Sequence, residues 1–337
     1  MSRAFPDAAT SLYMAQQRRL SRLNRTLSAR WRWMGSDFDV SWQLVSGLIA
    51  ADVTQAQGGA AQDAIDAAAL VIPSADMLAA PRPAGFAGIA SDGRDLTSLL
   101  YGAVVKAKSV DAESIAERLE AGRLWLVGAA ETQVADATRL ASSVSTAASS
   151  YYGYQRLVAP GCCKRCAALA GKEFRWNDGF LRHPRCRCVH VPLREKRSGY
   201  TNDIDPSQVR DLTKAQRRAI DDGADMTAVI NADRGRSRNG MTTSEGTTKR
   251  GWHAYVQRAI DHEQGASTAY TTTGYRQQGF VKNYPVRRVS KQRLTPEAIY
   301  RLCGNDRDAA IRHLAANGYL VAGHSPSDVA RIALGRT

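Results

Sequence analysis

The sequence predicts a mainly α fold in three parts: an N-terminal helical bundle, a small α+β module in the middle, and a short helical C-terminal region. Three observations carry this reading. Apolar residues recur at three- and four-residue spacing through much of the first 155 residues, five of the six cysteines fall between Cys162 and Cys188, and the sequence beyond Leu294 repeats the order of cap residue, short periodic run and stop. The expected divisions are a helical bundle over 1–155, a Cys/His module over 156–193, a helical connector over 194–235, a flexible linker over 236–250 and a basic region with short helices over 251–337.

In the first part, Tyr13, Leu20, Leu23, Leu27, Trp31 and Met34 share one helical face, while Arg18, Arg22, Arg25 and Arg32 share another. The spacing predicts one long amphipathic helix closed by Gly35. Its arginine stripe reads as a solvated face, with a DNA or protein contact as the alternative. A second helix is expected from near Asp37 through Trp42, Val45, Ile49 and Val53, continuing in Ala-rich sequence to Ile72, before Pro81, Pro83 and Gly85 break the pattern. From about 124 to 150, Ala130, Val134, Ala137, Leu140 and Val144 form an apolar series, with Thr132, Asp136, Arg139 and Ser143 assigned to the wet side.

After Pro192 the chain turns charged and loop-like, then "LTKAQRRAIDDGADMTAVINADRG" (212–235) reads as helical. The stretch "RSRNGMTTSEGTTK" (236–249) has almost no apolar residue and reads as a flexible linker. In "GYRQQGFVKNYPVRRVSKQR" (274–293), six basic residues, Arg276, Lys282, Arg287, Arg288, Lys291 and Arg293, are interleaved with Tyr275, Phe280 and Tyr284 and no acid. Such a segment can grip phosphates and stack on bases, although a basic surface loop has the same composition. Thr295-Pro296-Glu297 opens a helix ended by Gly304, Asp306 to Ala316 forms the next, stopped by Asn317-Gly318, and Ser325-Pro326 opens a third. Three short helices admit a helix-turn-helix DNA reader, but a small helical cap is the simpler reading. Cys303, beside Leu302, is expected to be buried rather than reactive.

Composition sets outer bounds. Forty-six basic against 32 acidic residues give a net charge of +14 and a pI near 9.8, which points to a polyanionic neighbour, nucleic acid ahead of membrane. The N-terminus lacks the apolar run of a signal peptide, and no stretch approaches the ~18 apolar residues of a membrane span, so a soluble, non-exported chain with reduced cysteines is expected. Clustered cysteines in that setting suggest metal ligands or catalytic groups before structural disulfides.

The cysteine segment is "GCCKRCAALAGKEFRWNDGFLRHPRCRCVH" (161–190). Cys163 and Cys166 have the C-x2-C spacing that turns two thiolates toward one tetrahedral ion, and His183, Cys186 and Cys188 follow at a distance common in two-knuckle zinc modules. An extended 186–190 would put Cys186, Cys188 and His190 on one side. Six donors then compete for four places. The favoured set is Cys163, Cys166, His183 and Cys186 around a structural Zn2+, with Cys188 as first reserve and His190 as a supporting partner or substitute; Cys162 is the odd thiol, turned away. A redox C-x-x-C and a plain cluster of buried cysteines stay open as rivals. No His-Glu-x-x-His, G-x-S-x-G, phosphate-binding loop or dinucleotide fingerprint occurs, and no catalytic residue is assigned.

These residues resemble the Mu F-like (MuF) minor head proteins of tailed bacteriophages. The resemblance rests on Cys163, Cys166, Leu169, Gly171 and Lys172, then His183, Pro184, Cys186 and Cys188, in the order C-x2-C-x-x-L-x-G-K and H-P-x-C-x-C. The span 153–192, with "DGADMTAVINADRG" and "LTPEAIYRLCG", is similar to versions from actinobacterial phages, so the likeness touches about half of the chain. It implies a minor capsid protein of head morphogenesis, inside the virion head near the portal and in the host cytoplasm during assembly, with portal protein, major capsid or scaffold protein and packaged DNA as partners and no membrane. Because some relatives are labelled proteases, a head maturation protease acting on coat or scaffold is the first alternative, and a non-specific DNA-binding protein the second. The Glu-x-Glu pair of the ADP-ribosyltransferases carried by other relatives is absent from this sequence.

Overall fold

A computed structural model describes residues 7–158, 160–179, 183–196, 204–248, 250–264, 292–321 and 323–336. The chain is mainly helical with a small sheet, and it divides into two compact units. The first comprises Met1–Cys162 with Leu169–Ile204, and the second Cys163–Ala168 with Asp205–Thr337.

In the first unit, helices α1 (Asp7–Trp31), α2 (Phe38–Ala69), α3 (Leu96–Leu100), α4 (Gly102–Ser109) and α5 (Ile115–Ala147) surround one apolar core. The expected stripe of α1 supplies Leu20, Leu23, Leu27 and Trp31, and α2 answers with Trp42, Val45, Ile49 and Val53. Asp37 starts α2 as the spacing predicts, its carboxylate accepting the Val40 N–H at 3.0 Å. Helix α5 begins at Ile115, earlier than expected, behind the hydroxyl cap of Ser114.

The faces of α5 differ from the expectation. Leu140 and Val144, read as apolar-side residues, are 47% and 38% exposed, whereas Asp136 and Arg139, read as the wet side, are 3% and 4% exposed. The cause is a three-stranded antiparallel sheet packed on that side: β1 (Gly153–Leu157) lies centrally between β2 (Glu173–Arg175) and β3 (Val189–Leu193). Gly153 pairs with Arg175 on one side and Leu193 on the other. A Cβ there would lie 1.9 Å from the Phe174 carbonyl oxygen, so the sheet requires glycine at this point.

The second unit contains α6 (Lys164–Ala167), α7 (Lys214–Asp221), α8 (Met226–Asn231), β4 (Thr242–Thr243), α9 (Trp252–Glu263), β5 (Arg293–Leu294), α10 (Pro296–Cys303), α11 (Arg307–Ala316) and α12 (Pro326–Ala333). Val229, Val256, Ile260, Ile299, Leu314, Tyr319 and Val329 form its core. The three terminal helices start where their caps predict, with Thr295, Asp306 and Ser325 each accepting a backbone N–H. The expected helix over 212–235 is split into α7 and α8 by Gly223, whose φ is +95°.

The segment read as a flexible linker is folded over 236–248. Ser237 N donates to the Thr242 carbonyl at 2.8 Å, β4 pairs with β5, and Thr243 is fully buried. Its partner strand lies far along the chain, so composition alone could not reveal it. Cys303 is half-buried and packs on the core, while its neighbour Leu302 is 65% exposed, against the expectation of a shared apolar face. Among the described residues, no helix is long and apolar enough to cross a membrane.

Candidate metal centre

Cys163 sits in extended conformation at the N-cap of the single-turn helix α6, and Ala167 N closes the turn onto the Cys163 carbonyl at 3.0 Å. That turn brings the two thiols of the C-x2-C onto one side. Within the second unit the knuckle is held by Lys164, whose ammonium pairs with Asp233 at 2.6 Å, and by a bridge between Cys163 and Arg210. The ligand atoms of Cys163, Cys166 and His183 lie within 4.8 Å of one another. One tetrahedral ion, with bonds of about 2.3 Å to thiolate and about 2.0 Å to imidazole, spans such a separation. The cluster can therefore hold a metal ion.

His183 has a defined tautomer in this arrangement. Its Nδ1–H donates to the Pro184 carbonyl at 2.7 Å, so Nε2 is the ring nitrogen through which it would meet a metal. The turn that carries it is fixed to α5. Arg185, at φ +61°, donates its backbone N–H to Thr132 Oγ1 at 3.0 Å and its guanidinium to the Leu124 carbonyl at 3.0 Å. Arg185 and Arg187 both reach the buried carboxylate of Glu131, at 3.6 and 3.0 Å, and Asn24 donates to it at 2.7 Å.

Cys186 and Cys188 form a second pair with a different setting. They are 1% and 3% exposed, and their sulfurs lie 3.2 Å apart. Arg156 donates to Cys186 Sγ at 3.1 Å, and Arg139 donates to the Cys186 and Cys188 carbonyls at 2.7 and 3.2 Å while pairing with Asp136. The hydrogen bond with Cys186, with burial second, pushes the Cys188 thiol well above its usual range. His190 is buried, stacked on Tyr154 at 4.1 Å between ring centroids, with Nδ1 at 2.9 Å from Ser143 Oγ. Burial, and then the charges of Arg139 and Arg156, hold its imidazole well below the ordinary histidine value and hence neutral. Burial likewise raises the Tyr154 phenol to about 12.

The donors expected to compete thus divide. Cys163, Cys166 and His183 come together as one candidate metal-binding group, while Cys186 and Cys188 face each other under two arginines and His190 stacks on an aromatic ring. Cys162, adjacent to the knuckle, is outside the three-residue group. Sequence reasoning placed Asp136 and Arg139 on the wet side and did not single out Glu131 or Arg156. The available signal was slight: Arg156 stands two residues from Tyr154 and so shares its strand face.

The nucleic-acid candidates Arg276, Lys282, Arg287, Arg288 and Lys291 lie outside the described residues. Arg293 does not serve that role. It is 5% exposed, stacks over Tyr319 at 4.2 Å and donates to the carbonyls of Asn317, Gly318 and Ala228, because β5 carries it into the second core. Burial pulls its pKa below the usual arginine value.

Comparison of the chain with family models, curated proteins and solved structures finds no match.

Proposed function

We propose that this chain is a structural protein stapled by Zn2+ at Cys163, Cys166 and His183, and that it serves as a minor component of a tailed-phage head, inside the shell and close to the portal. The observation that carries the proposal is the grouping of two thiols and one tautomer-fixed imidazole within 4.8 Å, on the positions that resemble the MuF pattern. Two thiolates and an imidazole form a donor set that suits zinc better than the hard cations, which prefer oxygen. Bound there, the ion would cross-link a short segment through three protein donors, its fourth coordination position being left to a donor beyond these three. The portal, coat or scaffold proteins and packaged DNA are the proposed partners.

The metal is tested by elemental analysis of untagged protein prepared anaerobically with zinc present. About one zinc per chain is expected, with loss on Cys163→Ser or Cys166→Ser and faster proteolysis near 161–192 after chelation, while the helices of the first unit stay protected. Zinc near zero with unchanged proteolysis would overturn the site. The location is tested by mass spectrometry of isolated heads, with and without portal protein. Finding the chain only free in the lysate would overturn the head assignment.

A further inference from the structure

Helix α1 carries five arginines and one acid, Asp7, and the structure sorts the arginines into two groups. Arg19 and Arg30 turn toward α2 and pair with Asp63 at 2.7 Å and Asp52 at 3.1 Å. Arg18, Arg22 and Arg25, with Arg32 just past the helix end, are exposed, and no carboxylate meets them among the described residues. Like charges at four-residue spacing destabilise a helix, and a solvated face normally interleaves acids with bases. Folding alone therefore gives no reason for this row.

Arg18 and Arg22 also line a cleft of about 350 Å³ between α1 and α2. Its two carboxylates, Asp52 and Asp63, are already matched to Arg30 and Arg19, so the uncompensated charge at the cleft is positive. Gly59 makes room for this arrangement: a Cβ there would lie 2.1 Å from an Arg19 guanidinium nitrogen. From Arg18 to Arg32 the row extends about 21 Å at 1.5 Å per residue. At its end Trp33 is 79% exposed and offers a flat apolar ring beside Arg32. Guanidinium groups in a line with an exposed aromatic ring suit a phosphodiester strand, whose charges they match and whose bases can stack.

We infer that the exposed face of α1 and the α1–α2 cleft bind the phosphates of a nucleic-acid strand, with Arg18 and Arg22 gripping at the cleft and Arg25 and Arg32 following the backbone. The inference is independent of the metal centre. It is tested on the full chain by fluorescence anisotropy with a labelled, mixed-sequence single-stranded oligonucleotide over a range of salt. The double variant Arg18→Ala/Arg22→Ala should bind roughly tenfold more weakly at low salt and lower the steepness of log K against log salt by about 1.4, at roughly 0.7 per phosphate contact. Arg94→Ala/Arg331→Ala removes the same charge from arginines paired with Asp92 and Asp328, and should stay within about twofold of the parent. Helix content by circular dichroism verifies that each variant is folded, with Arg18→Gln/Arg22→Gln as the substitute pair. Equal losses in the two double variants, or none in the first, would overturn the site. Titrations with ADP and inorganic phosphate separate the sources: saturable ADP binding lost in the first variant, with oligonucleotide binding unchanged, would overturn the polymer and assign the cleft to a free nucleotide.

Discussion

Cys163 caps a single helical turn and Cys166 lies within it, one half-buried and the other buried, with the His183 ligand atom within 4.8 Å of both; Cys186 and Cys188 face each other at 3.2 Å beneath Arg139 and Arg156. The residue type is the same and the two pairs are close in sequence. The difference lies in the groups brought to each. The first pair gains an imidazole and with it a donor set that could hold a metal ion, whereas at the second pair Arg156 donates to Cys186 Sγ and Arg139 to the two carbonyls, bringing positive charge where a cation would sit. Spacing alone does not make a cysteine a ligand; its neighbours on other elements decide.

The substitution expected to break this contrast most is Arg139→Ala. It would break the buried Arg139–Asp136 ion pair and remove the donor shared by the Cys186 and Cys188 carbonyls, a loss of about 3–5 kcal/mol for breaking a buried pair. Urea unfolding measures it, and alkylation of Cys186 and Cys188 in the folded variant should become faster while Cys163 and Cys166 react as in the parent. A loss below about 1 kcal/mol would mean that Arg139 does not hold the second pair.

Gly153→Ala comes next, at about 2 kcal/mol, because the new methyl meets backbone at Phe174 that cannot rotate away. Its signature is loss of β2 protection in hydrogen exchange, with α1 and α2 unaffected. Glu131→Ala should cost only about 1–2 kcal/mol, since Arg185 and Arg187 are about half exposed and can turn to water. It sharpens the comparison differently: zinc retention should fall about tenfold, because the turn bearing His183 loses its anchor, while the Cys186–Cys188 pair stays protected from alkylation. Cys162→Ser is the smallest, within about 0.5 kcal/mol and with unchanged zinc per chain.

The helices were legible where local rules decide them. Asp37, Thr295, Asp306 and Ser325 announce helix starts because a cap bonds within its own turn, and the Leu20–Leu23–Leu27–Trp31 stripe has no other use than a core. The C-x2-C turn was legible for a similar reason, since the spacing itself shapes it, whereas His183 was expected only from a distance common in two-knuckle modules. What local pattern could not convey was contact between distant segments. Asp136 and Arg139 read as wet because nothing in their own helix says that a sheet formed later in the chain will cover them. Thr243 read as linker because its partner Arg293 follows an intervening helix and a long stretch of sequence, and the same pairing carries Arg293 inward, away from the role its basic neighbours suggested.

The sheet register bears on the order of folding. Leu157 pairs with Val189, so the whole cysteine segment is a loop that must close before β1 and β3 can form their ladder. Closing such a loop costs chain entropy that rises with the logarithm of its free length, and non-local strand pairs form late for that reason. An ion that first ties Cys166 to His183 would take out most of that free length, leaving two short arms to zip. The bound metal would then template the folding of its own segment, and refolding with chelator present should show a slow phase in sheet formation that vanishes when the metal is supplied before dilution from denaturant.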